Sequence, residues 1–155
     1  MKKPAIDSLL NSNDTDSAAN ELYHYILDLC SHGDQLSRLT EPQRNFFYIQ
    51  ELQRGAYDRD FRHYFNNPSG RFAHEALAAL DMIGAEMTAG IVSFAMSCFP
   101  NERVPKDDEE RRRQLEDMNK ADNDVLRRMT QTLYERPEDL NELCMEYVRE
   151  NTGDF

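Results

Sequence analysis

Between Phe65 and Phe99 runs the longest weakly charged stretch of the chain, FNNPSGRFAHEALAALDMIGAEMTAGIVSFAMSCF. It holds one basic residue, Arg71, and three acids, Glu75, Asp81 and Glu86. The flanking segments carry most of the charge, so this stretch is where a core must form. Two breaks divide it. Asn66-Asn67-Pro68-Ser69-Gly70 is a turn cluster, because Asn and Gly tolerate left-handed backbone angles and Pro fixes φ. Ile83-Gly84-Ala85 is the second, with Gly84 suited to the position just past a helix end. Helices are therefore predicted over about 71–83 and 85–99, joined as an αα-hairpin because the link is so short. Phe72, Ala76, Ala79, Leu80 and Ile83 share one face of the first. The second is apolar nearly all round and is expected to be the most buried element. Its apolar run, Ala89 to Phe99, falls short of the roughly 20 residues that a membrane span needs.

Elsewhere the pattern is also helical, and no strand-like alternation is found. Residues 1–15 are polar and read as a mobile lead-in, with 16–155 forming a single helical domain. A helix capped by Asp16 or Ser17 runs to about His32 and ends at Gly33. Another opens at Thr40, where Gln43 has the capping-box spacing, and continues with Phe46, Ile49 and Leu52 to about Arg54. A short helix then places Tyr57, Phe61, Tyr64 and Phe65 inward. Asp107 caps a helix whose few apolar residues, Leu115 and Met118, predict that it is solvent-facing or frayed. In it Arg111, Arg112 and Arg113 pair with the preceding acids. Asp122 or Asn123 starts the next helix, and Pro137 opens the last. The fold predicted is all-α, a compact bundle of about six to eight helices around the hairpin at 71–99.

Charge bounds the function. The chain has 29 acids against 18 Lys and Arg, a net charge of −11. Direct nucleic-acid binding depends on neutralising phosphates with basic side chains, so a basic protein is the better partner. The absence of an apolar signal-peptide core between Pro4 and Asp16 predicts a cytoplasmic location. Cys30, Cys98 and Cys144 are widely spaced among apolar neighbours and are expected to be buried thiols. The four histidines show no metal-ligand spacing, and no phosphate loop or nucleophile motif is found, so neither cofactor nor metal is expected.

The sharpest local pattern is in the last helix. Glu138, Glu142, Glu146 and Glu150 recur every four residues with Asp139 beside the first, an anionic stripe with a rise of about 6 Å per step. Like charges at this spacing oppose helix formation, and evenly spaced anions resemble a nucleic-acid backbone. A second acidic run, Asp107, Asp108, Glu109 and Glu110, opens the helix before. Both are candidate partner-binding surfaces. A polar notch is the other candidate, with Asp58, Asp60, His63 and Asn66, and with Arg59 and Arg62 between them, beside the Pro68–Gly70 turn.

The order of motifs carries a resemblance. An aromatic helix, FNNPSG, EALAALDMIGA, a small-residue helix and LYERPEDLNELCMEYVREN together resemble a family of small bacterial all-α proteins. The family is described as a domain of unknown function and includes a DNA-mimic protein. The similarity spans about Phe46 to Asn151. Members carry an NGGF segment before the turn, which is missing from RGAYDRDFRHYF at 54–65. The resemblance implies a helical, dimeric protein. For its DNA-mimic member it implies an acidic face that occupies a partner's DNA-binding surface. A non-enzymatic acidic binding protein directed at a transcription factor or nucleoid protein is thus the leading expectation. The alternatives are an immunity or inhibitor protein against a toxin, or a small-ligand binder or enzyme using the notch.

Overall fold

The computed structural model describes residues 2–155, and among these every regular element is helical. Its nine α-helices are α1 (Ile6–Leu10), α2 (Thr15–Leu29), α3 (Glu41–Leu52), α4 (Phe61–Asn66), α5 (Ala73–Met82), α6 (Glu86–Met96), α7 (Asp108–Glu116), α8 (Lys120–Tyr134) and α9 (Leu140–Glu150). Eight correspond to predicted helices. The ninth, α1, lies in the polar opening stretch and buries Leu9. The contacts group the chain into two compact units, one of residues up to Phe47 with Asp139–Phe155, the other of Tyr48–Glu138.

In the first unit α2 packs on α9, and α1 lies against both. Leu22, Ile26, Cys30, Cys144 and Val148 are all buried almost completely. Phe46 and Phe155 pack edge to face at 6.0 Å. The capping box at α3 forms as its spacing predicts: the Gln43 N–H donates to Thr40 Oγ1 at 3.2 Å, and the Thr40 N–H donates to Gln43 Oε1 at 3.0 Å. The start of α2 differs from expectation. Asp14 is the cap, and Ser17 supplies the N–H that it accepts at 3.0 Å. That helix ends at Leu29, because Ser31, His32 and Gly33 all take positive φ.

In the second unit the αα-hairpin is present as α5 and α6. The Ala85 N–H donates to Leu80 O and the Gly84 N–H to Asp81 O, the pair of bonds that defines a Schellman ending. Gly84 takes φ +79 there. The turn before α5 is a 3-10 segment, Pro68–Phe72, so the helix begins at Ala73. α6 is less covered than its composition predicts. Ala89, Val92, Ala95 and Met96 face inward, but Met87 and Phe94 are 59 % and 53 % exposed. Helical period wins over composition, since one side of a helix at a unit's surface stays in solvent.

The larger correction concerns α7, which is not a merely solvent-facing helix. Arg111 is fully buried and Leu115 nearly so. The Arg111 guanidinium donates to the carbonyls of Phe65 (2.6 Å), Asn67 (2.8 Å), Pro105 (3.1 Å) and Lys106 (3.2 Å), and to Asp108 Oδ1 (2.7 Å). A planar fork of five N–H groups satisfies carbonyls at a turn where no helix or sheet can. Gly70 makes room for it: a Cβ there would stand 2.8 Å from Arg111 Nε and 2.7 Å from Phe65 O. α8 also begins earlier than predicted, because Asn119 is its cap and Asp122 supplies the N–H that it accepts.

Candidate acidic interface

The acids that the sequence singles out divide into those that build the fold and those left to solvent. α9 begins at Leu140 rather than at Pro137, since Arg136 sits at φ +51 and Asp139 is the N-cap, accepting from the Glu142 N–H at 3.1 Å. Glu138 therefore stands outside the helix and its stripe. Its carboxylate accepts from both the N–H and the hydroxyl of Thr88, each at 2.7 Å. Thr88 lies in the first turn of α6, whose N-cap position is Ala85 and offers no capping side chain. Glu138 thus caps α6 from a distant part of the chain, next to the positive end of the helix dipole.

The acidic run at α7 is largely committed as well. Asp107 caps the helix through the Glu110 N–H at 2.9 Å. Asp108 is bound to buried Arg111, and that hydrogen bond, with the charges of Arg111, Arg112 and Arg71, holds its carboxyl below the usual range against a smaller opposing effect of burial. Glu110 accepts from Gln114 Nε2 at 2.9 Å and from Arg113, which lower its pKa in that order. Glu109 alone of the four is exposed without a partner among the described residues.

The remaining stripe on α9 consists of Glu142, Glu146 and Glu150, all exposed. Eight residues of helix place the first and last about 12 Å apart. Glu142 accepts from the Thr15 hydroxyl at 2.7 Å, and Asn141 donates to Asp16 at 2.8 Å. These two bonds dock the first turn of α2 on that of α9 and bring Asp16, expected from the sequence only as a helix cap, to the acidic edge. Arg149 gives partial relief: its Nε stands 3.5 Å from Glu146 while Nη2 donates to Leu10 O. The unit containing this edge has 12 acids against five Lys and Arg. It accounts for −7 of the −11, although it is the smaller of the two.

The proposed notch does not assemble from the four residues named. Asp60 caps α4 through the His63 N–H at 2.6 Å, and His63 Nε2 pairs with Asn67 Nδ2 at 2.8 Å. The Asn66 carbonyl accepts from Arg112 Nε at 3.0 Å, and Asp58 is exposed. A cleft of about 450 Å³ does open beside α4, but its far wall is α8 and not the Pro68–Gly70 turn. Arg59, Asp60 and Arg62 line one side, with Asn123, Arg127 and Tyr134 across from them.

Other chemistry is sparse. No group of three or more His, Cys, Asp and Glu side chains among the described residues is disposed to hold a metal ion. No helix among them is long and apolar enough to cross a membrane. Cys30 and Cys144 are buried, whereas Cys98 is only half-buried, near the C-terminal end of α6. Burial, then the charge of Asp122, push the Cys98 thiol up to about 11.

Helical elements throughout, an edge of exposed carboxylates and a strongly negative balance define an acidic helical protein without a metal cluster among its described residues. The chain belongs to the DMP19-like protein family, whose model matches residues 37–151. No curated protein and no solved structure matches it.

Proposed function

We propose that this protein binds a basic protein through the edge formed by Glu142, Glu146, Glu150 and Asp16, occupying the surface with which that partner binds DNA. The single observation that carries the reading is the exposed row of carboxylates on α9, in the unit that holds most of the net charge. Family membership supports it, since the family takes its name from a protein described as a DNA mimic. Repulsion along the row is costly in the free protein and is relieved when Lys or Arg side chains of a partner dock against it. Glu138, Asp107 and Asp108 act instead through the fold.

The test uses DNA-binding proteins retained by the immobilised chain. Duplex DNA is expected to displace them, and raising salt to weaken retention steeply, because both ligands present spaced anions to one basic surface. Replacing Glu142, Glu146 and Glu150 together by Gln is expected to weaken association at least tenfold, about 1.4 kcal/mol. Equal retention by this variant, or complexes that DNA does not displace, would overturn the reading.

A further inference from the structure

The cleft between residues 59–62 and α8 reverses the sign of the molecule. In a chain of net charge −11, its lining carries three arginines, Arg59, Arg62 and Arg127, against one carboxylate, Asp60. That carboxylate already accepts from the His63 N–H. A concave site lined by one sign of charge concentrates counter-ions of the other.

The walls are tied together. The Tyr134 hydroxyl donates to the Arg59 carbonyl, the Phe61 N–H donates to Thr130 Oγ1 at 3.1 Å, and Arg62 Nη1 donates to Asn123 Oδ1 at 2.8 Å. These three rungs join one short segment to one face of α8, where 123, 130 and 134 follow helical spacing. The cleft is therefore formed in advance of any ligand, and its volume lies within the range of about 300–1,000 Å³ usual for small-molecule sites.

The donors remain available. The Arg59 side chain has no partner among the described residues. Arg62 commits one N–H of its fork to Asn123, and Arg127 pairs through Nη1 with Asp124 at 2.8 Å while its side chain stays 66 % exposed. Guanidinium forks match phosphate oxygens in geometry as well as charge. Beside them stand the half-exposed ring of Tyr134, held through its hydroxyl, and the side chain of Leu126. A flat apolar surface next to clustered arginines suits a ligand with a ring at one end and an anion at the other.

We propose that this cleft binds a small phosphate monoester that carries a flat ring, the chemistry of a nucleoside monophosphate. Arg59, Arg62 and Arg127 hold the phosphate, and Tyr134 receives the ring. The assignment is independent of the acidic edge.

Calorimetry on the full chain at low salt tests it, with adenosine 5′-monophosphate, adenosine and inorganic phosphate as separate probes. The nucleotide is expected to bind, with the other two each at least tenfold weaker. Arg59→Gln and Arg127→Gln should each weaken nucleotide binding about tenfold. Tyr134→Leu should bring it toward the value for phosphate alone. Arg59→Gln keeps the backbone carbonyl that Tyr134 grips, and Arg127 is mostly in solvent, so both variants are expected to fold, as circular dichroism will verify. Arg103→Gln, exposed and outside the cleft, controls for net charge and should leave affinity unchanged. Absence of nucleotide binding up to roughly 10 mM, or unchanged affinity in both arginine variants, overturns the site. Equal affinity for phosphate and nucleotide overturns the assignment of the ring.

Discussion

Arg111 illustrates how far one residue's role departs from its sequence neighbourhood. It sits among acids in a polar helix, yet it is fully buried and serves four backbone carbonyls. Replacing it with Met would leave those oxygens and Asp108 without their donor, so we expect a loss of about 3–5 kcal/mol in denaturant unfolding. Gly70→Ala should cost about 1–3 kcal/mol by the same measure, since the added methyl meets two carbonyl oxygens and the Arg111 side chain. The Asp108 carboxyl adds a pH dependence. Its folded pKa is depressed, so its contribution is fully present above the unfolded value of about 3.9 and is lost as pH falls through the folded one. Asp108→Asn should flatten the stability curve below about pH 4. Cys98 offers an independent check. With its thiol pushed up to about 11, alkylation at pH 8 should run roughly a hundredfold slower than for a free thiol.

At the scale of elements, the termini of the helices separate what local sequence decides from what it does not. The capping box of α3, the Asp107 cap of α7 and the Gly84 ending of α5 form as their spacing predicts, because each is closed by residues within a few positions. α2 and α8 begin about three residues early for a related reason: several Asp, Asn and Ser side chains compete, and a residue expected as the cap, Ser17 or Asp122, proves to be the N–H donor. α6 is different. Its cap is Glu138, fifty residues away, and no local pattern can announce it. Glu138→Ala is therefore expected to cost about 1–2 kcal/mol, whereas Glu142→Gln on the exposed edge should stay within about 0.5 kcal/mol. Thermal or urea unfolding of the two variants side by side distinguishes the structural acid from the surface one. The π-helical turn at Gln53–Tyr57 likewise shifts register ahead of α4.

For the whole molecule, the net charge of −11 exerts a self-repulsion that neither Arg149 nor the α7 pairs remove. Raising ionic strength from about 0.01 to about 0.1 M shortens the screening length from about 30 to about 10 Å. The melting temperature should accordingly rise by a few degrees over that range, and the triple Gln variant of α9 should show a smaller rise. Calorimetric scans at both salt levels check this. By itself the sequence determined the helical class, the hairpin, most helix positions and the negative sign of the surface. These follow from apolar period, local capping and composition, which act over a few residues. Tertiary structure alone decided which acids are free and which are spent on caps, that an arginine lies in the core, and that three other arginines share one cleft. Such facts depend on contacts between residues far apart in the chain, and no short-range pattern encodes them.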